Sequence, residues 1–291
     1  MRDAAEASNA AVDAAPVKAA ERAERRGHGF QRGLAPFAAP LGVGLVVAGV
    51  WEFAVGYWQV PEYLLPPPSA IVETMGAERA TLASAWCVTF GAMAVALMAA
   101  VLFGVLLAAV FATSRIVELS LFPYAVVLQV TPLVAIAPLL MIWINTPWIV
   151  KLVCAWIVAF FPILSNTALG LRAADPGLSD LFRLYRASPW QRARLLLAPS
   201  ALPYFLAGLR VAVNLALVGA VVAEFVTGAA TDHPGLASLV FEGQYAMNVP
   251  LTFAALGLIS GTGIAMYFAT HLLSRWLLGG WHASSLEPDR P

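Results

Sequence analysis

Residues 172–203, RAADPGLSDLFRLYRASPWQRARLLLAPSALP, are the longest polar interruption between two strongly apolar runs, and their spacing predicts two short helices. Asp175 is placed to cap the first, with Pro176 in the first helical position, where a missing N–H costs nothing. Leu178, Leu181, Phe182 and Tyr185 follow at i, i+3, i+4 and i+7, an apolar stripe backed by Asp180, Arg183 and Arg186. Ser188, Pro189 and Gln191 open the second helix with the signature of a capping box, and Pro199 is expected to close it. A stripe of this kind needs cover. It either lies on a lipid surface or docks into a partner, and the flanking sequence bears on which.

The flanks are those of a membrane protein. The 291 residues are 60% hydrophobic and 12% charged, with a mean hydropathy of +0.77, too apolar and too sparsely charged for a soluble domain. Apolar runs long enough to cross about 30 Å of hydrocarbon fall at roughly 38–58, 83–112, 120–144, 148–171, 204–228 and 251–275. The expected fold class is therefore an all-α polytopic membrane protein with about six spans. The two cysteines, Cys87 and Cys154, both lie in apolar runs and read as small buried hydrophobes.

Formal net charge is zero, but the charges are unevenly spread. Arg22, Arg25, Arg26 and Arg32 precede the first span, and Arg172, Arg183, Arg186, Arg192 and Arg194 follow the fourth. The loops on the other side hold Arg79, with Lys151 just inside a span. The excess of arginine predicts that both termini and the 172–203 loop face the cytoplasm. Tyr57, Trp58, Trp143 and Trp148 would mark the outer interface, Trp276 and Trp281 the inner one. Residues 65–69 read as a stiff extended segment leading into a short helix, and Leu236, Leu239, Val240 and Gly243 as a short helix folded back onto the bundle.

Association of helices in lipid relies on close approach of small residues. Three such ridges are visible: Ala92, Ala96, Ala100, Gly104 and Ala108; Gly208, Ala212, Ala216 and Ala220; and Gly257, Gly261, Ala265 and Ala269. Each packs within one protomer or serves a dimer interface. Polar residues inside spans are costly and so are candidates for a solute pathway, or else for satisfied interhelical hydrogen bonds: Glu52, Gln129, Thr131, Asn166, Thr167, Asn214 and Glu224. Glu224 lies about as deep in its span as Lys151 does in the fourth, so the two either form a gate ion pair or stand as solvated vestibule charges.

Several chemistries are excluded. There is no GxxxxGK[ST] loop, and the lysines are Lys18 and Lys151, so this chain does not hydrolyse ATP through a P-loop. His28, His233, His271 and His282 lack ligand spacing, no GxSxG or HExxH motif occurs, and neither a metal nor another cofactor is implied. A transporter driven by an ion gradient is the alternative class. It commonly shows inverted repeats and midplane acids, and no repeat is visible here.

The residues resemble the membrane subunit of a bacterial binding-protein-dependent ABC importer, in the branch for nitrate, sulfonates, taurine and pyrimidine-type vitamins or precursors. The family pattern in the cytoplasmic loop is Glu-Ala-Ala, three residues, Gly, nine residues, then Ile-x-Leu-Pro. Here Asp180, Leu181 and Phe182 stand on the triplet, Arg186 on the glycine, Leu196, Ala198 and Pro199 on the closing residues. Residues 65–69, 132–139 and 160–162, Pro203 with Gly208, and Ala223 with Glu224 and Phe225 extend the resemblance. It implies a permease domain over 36–278 between cytoplasmic tails at 1–35 and 279–291, working as a homodimer with a separate ATPase and an extracytoplasmic binding protein. It also implies that Leu178, Asp180, Leu181, Phe182, Tyr185, Arg186, Ala187, Ser188 and Pro199 couple the permease to the ATPase. Arg186 in place of glycine implies a longer first helix and a partner matched to an added positive charge. Gln129, Asn166, Asn214 and Glu224 are the pathway candidates, and Gly235, Leu236 and Ala237 stand where the family often has Gly-Leu-Gly.

Overall fold

The computed structural model describes residues 42–228 and 233–279. The expected tails, with Arg22, Arg25, Arg26, Arg32 and Trp281, lie outside the described residues apart from Gly279. Among the described residues the regular structure is entirely helical.

The described chain falls into two compact units. The first is built on α1, Gly42–Tyr57, and the segment Leu65–Ser69. Glu52, a candidate intramembrane acid, accepts hydrogen bonds from the Ser69 backbone N–H at 3.0 Å and the Ser69 hydroxyl at 2.8 Å. Its carboxylate thus satisfies a free N–H in the first turn of α2, Pro68–Ala77.

The second unit holds α3 (Arg79–Thr113), α4 (Arg115–Val130), α5 (Leu133–Ile144) and α6 (Pro147–Arg172). It continues with α7 (Pro176–Leu184), α8 (Pro189–Arg192), α9 (Ala198–Thr227), α10 (Leu236–Tyr245) and α11 (Val249–Leu278). Four helices among the described residues are long and apolar enough to cross a bilayer: α3, α6, the continuous α8–α9 rod and α11. A bent α4–α5 pair makes a fifth, and α1 is a shorter apolar helix.

The span expected over 120–144 is bent. It is broken at Thr131–Pro132 into α4 and α5, which meet at 98°. Proline has no N–H to continue the ladder and forces the residue before it out of the helical region. Thr131 accordingly takes φ −66° and ψ 127°. Its hydroxyl donates to the Val127 carbonyl at 2.6 Å. Pro199 differs from expectation for a related reason. It does not end the helix begun at Ser188 but lies in the first turn of α9, and the helix runs on through a wide turn at Ala193–Leu197. There the Ala198 N–H donates to the Ala193 carbonyl. The extra residue in that turn accommodates the hydrogen bond Pro199 cannot make.

Two of the three small-residue ridges are internal. Ala92, Ala96, Ala100, Gly104 and Ala108 of α3 are buried, as are Gly208, Ala212, Ala216 and Ala220 of α9. α6 and α9 run antiparallel with backbones in contact. A Cβ on Gly208 would sit 2.6 Å from the Pro162 carbonyl oxygen, and one on Gly219 would sit 2.7 Å from the Ala155 Cα. The third ridge lies on the exposed face of α11, where Gly257 and Gly261 have open space.

Candidate functional site

Two constellations stand at opposite ends of α9. At its start is the polar loop. The Asp175 carboxylate accepts the Leu178 N–H at 3.0 Å, capping α7 behind Pro176. The helix then stops short. The Arg186 N–H donates to Arg183 and the Ala187 N–H to Phe182, at 3.0 and 2.9 Å. Arg186 itself takes φ +49°. This double closure around one left-handed residue favours glycine at that position. Arg186 therefore keeps the tight turn that the family glycine implies, at the expense of backbone strain, and α7 is not lengthened.

The turn delivers Ser188 to a complete capping box. Its hydroxyl accepts the Gln191 N–H at 3.2 Å, and the Gln191 side chain accepts the Ser188 N–H at 2.8 Å. An Arg192 Nη2 bond to the Ser179 hydroxyl, 3.0 Å, ties α8 back onto α7. At the base of the loop Arg172 pairs with Glu118 of α4, which also receives Arg115 at 2.9 Å. The Arg183–Asp180 pair, 3.6 Å and largely exposed, contributes little.

The apolar stripe is split by this geometry. Leu178 and Leu181 are about half exposed and Tyr185 is 77% exposed. Phe182 instead turns toward the bundle and lines a cavity beneath the loop. Leu184 and Trp190, which the stripe did not include, are 79% and 72% exposed and extend the uncovered apolar surface.

At the far end of α9, about 40 Å along the helix at 1.5 Å per residue, lies a buried polar node. Glu224 has no exposed surface and Lys151 of α6 has 1%. Their charged atoms are 3.9 Å apart, so neither stands as a solvated vestibule charge. Glu224 also accepts the Thr89 hydroxyl of α3 at 2.8 Å and the Ala237 N–H at 2.9 Å. The Thr89 hydroxyl in turn accepts the Leu236 N–H at 2.9 Å. The node thus takes up two of the free N–H groups that open α10, whose N-cap, Gly235, has no side chain to do so. A Cβ on Gly235 would collide with the Glu224 carboxylate, so only glycine lets the acid approach. Thr89 carries no signal in the sequence, and Gly235, Leu236 and Ala237 stand out there only through the family resemblance, with nothing to tie them to Glu224. A lone threonine in an apolar run carries no signal until its neighbours across space are known.

The remaining pathway candidates are not gathered here. Gln129 of α4 and Asn214 of α9 lie on exposed faces, and the Asn166 amide donates to the Pro162 carbonyl of its own helix at 2.9 Å.

The family model for the binding-protein-dependent transport system inner membrane component matches residues 100–278, from mid-α3 to the end of α11. The chain belongs to this family. Among relatives of this permease is a probable ABC transporter permease protein of Haemophilus influenzae, 31% identical over 239 residues, 82% of this chain and 94% of the relative. A formylaminopyrimidine transport permease protein of Halalkalibacterium halodurans is 31% identical over 235 residues, 80% and 92% of the two chains. A putative aliphatic sulfonates transport permease protein of Bacillus subtilis is 26% identical over 261 residues, 87% and 89% of the two chains. Among solved structures, an amino acid ABC transporter chain matches with TM-score 0.56 and 17% identity over 70% of this permease and 95% of that chain. The inward-facing MetNI methionine ABC transporter matches with TM-score 0.55 and 18% identity over 70% and 98%. The permease is thus a multi-pass inner-membrane transport component with the fold of an ABC importer membrane subunit.

Proposed function

We propose that this permease imports a small solute, of the nitrate, sulfonate, taurine or pyrimidine and vitamin-precursor type, powered by a separate cytoplasmic ATPase. The observation that carries the reading is the α7–α8 loop. It is an apolar surface capped at both starts, closed at Arg186, tied across by Arg192 and left uncovered in the chain. A rigid element with an unburied apolar face transmits a displacement only when a partner covers that face. Leu178, Leu181 and Tyr185 are its contact residues, with Asp180, Ala187 and Ser188 at its edges, and Phe182 anchors it to the bundle. Pro199 shapes the rod beneath it.

In this reading 36–278 is the permease domain, both termini face the cytoplasm with the loop, and an extracytoplasmic binding protein delivers the solute. The exposed α11 ridge, with no atom within 4 Å of a Cβ at Gly257 or Gly261, supports a second copy of the chain as partner. The Lys151–Glu224 node holds α10 closed over the outer end of the pathway, and Gln129, Asn166 and Asn214 line the route. The relatives named for formylaminopyrimidine and for aliphatic sulfonates support the range of solutes.

The test is ATP-driven uptake by proteoliposomes holding the whole importer, with taurine, nitrate, an alkanesulfonate and a formylaminopyrimidine as solutes. Leu181→Asp is expected to leave the permease inserted and folded while abolishing uptake and its recovery with the ATPase. Full uptake by Leu181→Asp removes the coupling role. Uptake that survives ATP depletion and collapses with a protonophore replaces the reading by a gradient-driven one.

A further inference from the structure

The cavity under the α7–α8 loop has a volume of about 1400 Å³ and is bounded by the ends of α3 and α6, the start of α4, the loop and the start of α9. Its charged lining is one-sided: Arg115, Arg172, Arg183, Arg192 and Arg194 against Glu118 alone. Glu118 is already taken by Arg115 and Arg172, and Arg183 by Asp180. Arg192 and Arg194 have no carboxylate partner among the described residues.

Two buried polar atoms on this lining also lack any hydrogen-bond partner. They are Nε of Arg192, whose Nη2 is used by Ser179, and the hydroxyl of Thr167, a residue only 4% exposed. Both atoms are closed off from the cavity as well as from solvent, so its capacity for an anion lies in Arg192 and Arg194, two lining arginines without a carboxylate. The rest of the wall is apolar, with Val105, Phe111, Leu202 and Phe205 coming from the spanning helices themselves. A small soluble anion would satisfy the arginines and leave that wall wet. An amphiphile satisfies both.

We propose that this cavity binds an anionic phospholipid, its phosphodiester on Arg192 and Arg194 and its acyl chains along α3 and α9. The cavity is larger than the roughly 300–1,000 Å³ of a typical small-molecule site, and it opens where apolar spans give way to arginine, the depth at which headgroups lie. The site borders the coupling face, sharing Ala187 and Trp190 with its edge. Leu178, Leu181 and Tyr185 do not line it, so the lipid and an ATPase would meet along that edge without sharing the main contact residues.

The test uses the purified full chain in a neutral detergent, titrated with phosphatidylglycerol, with phosphatidylcholine of the same acyl chains, and with glycerol 3-phosphate, reading the melting temperature. Phosphatidylglycerol is expected to raise it saturably while the other two leave it unchanged. Arg192→Gln, which removes the guanidinium charge, is expected to weaken the lipid about tenfold, one charge-assisted contact's worth. Arg275→Gln on α11, outside the cavity, is expected to change nothing. An equal response to phosphatidylcholine overturns the proposal, and an equal response to glycerol 3-phosphate assigns a soluble anion in its place. An equal loss in Arg275→Gln, or an unchanged lipid increment in Arg192→Gln, also overturns it.

Discussion

The Lys151–Glu224 node lends itself to a double-mutant cycle. Removing one partner of a buried ion pair leaves the other charge uncompensated and costs about 3–5 kcal/mol, whereas replacing both by neutral groups of similar volume is close to neutral. Both side chains here are within 2% of complete burial, so the full penalty applies. Lys151→Met leaves the Glu224 carboxylate with only Thr89 and Ala237 as donors. Glu224→Gln leaves an ammonium without a countercharge. At about 2–4 °C per kcal/mol for a chain of this size, each single change is expected to lower the melting temperature of the purified permease by roughly 6–20 °C. The double change, Lys151→Met with Glu224→Gln, is expected to recover most of that loss, because the amide oxygen that replaces the carboxylate still accepts one donor from α10 or α3. Simple additivity of the two losses would refute the pairing. A swap of the two charges is not an equivalent test. It would set an ammonium against the Ala237 N–H and the positive end of α10, so its failure follows from the geometry whether or not the pair forms.

Three further changes probe the loop and the α6–α9 contact. Arg186→Gly removes a side chain held at φ +49° and is expected to stabilise the permease by about 1 kcal/mol, seen as a higher melting temperature with uptake retained; a lower one contradicts the strained-turn reading. Gly208→Ala places a methyl 2.6 Å from the Pro162 carbonyl oxygen and is expected to cost about 1–3 kcal/mol by forcing α6 and α9 apart, whereas Gly261→Ala, facing open space, is expected to stabilise the monomer by up to about 1 kcal/mol. Ser188→Ala breaks the capping box and is expected to cost about 1 kcal/mol, with protease cleavage between Tyr185 and Arg192 rising before any change in the bundle; unchanged cleavage would mean that the box does not order the loop.

Much of the loop was legible because its signals are local. Asp175 with Pro176, and Ser188 with Pro189 and Gln191, act within one turn of their own backbone, so spacing alone placed both caps. Proline was harder to interpret. At Pro132 it breaks a span, at Pro162 it sits inside an unbroken helix, and at Pro199 it is absorbed by a wide turn. The same missing N–H has three outcomes because the neighbouring helices, and not the proline, supply or withhold a compensating geometry. Arg186 shows the reverse case, where the turn closures on either side outweigh a residue poorly suited to the left-handed region.

By itself the chain determined what depends on composition and short-range spacing: a polytopic helical protein, small-residue faces, and two capped helices between spans. Tertiary structure decided what depends on residues far apart in sequence meeting at one point. It chose which ridges were covered, turned Phe182 inward while leaving Leu181 outside, and brought Thr89, Lys151, Glu224 and the start of α10 into one node. It also brought Arg192 and Arg194 of the loop to one cavity with Arg115 and Arg172 from the spans. Burial in lipid makes every free N–H and every lone charge expensive, and the partner that meets each one is set by the packing of helices, which no periodicity along the chain encodes.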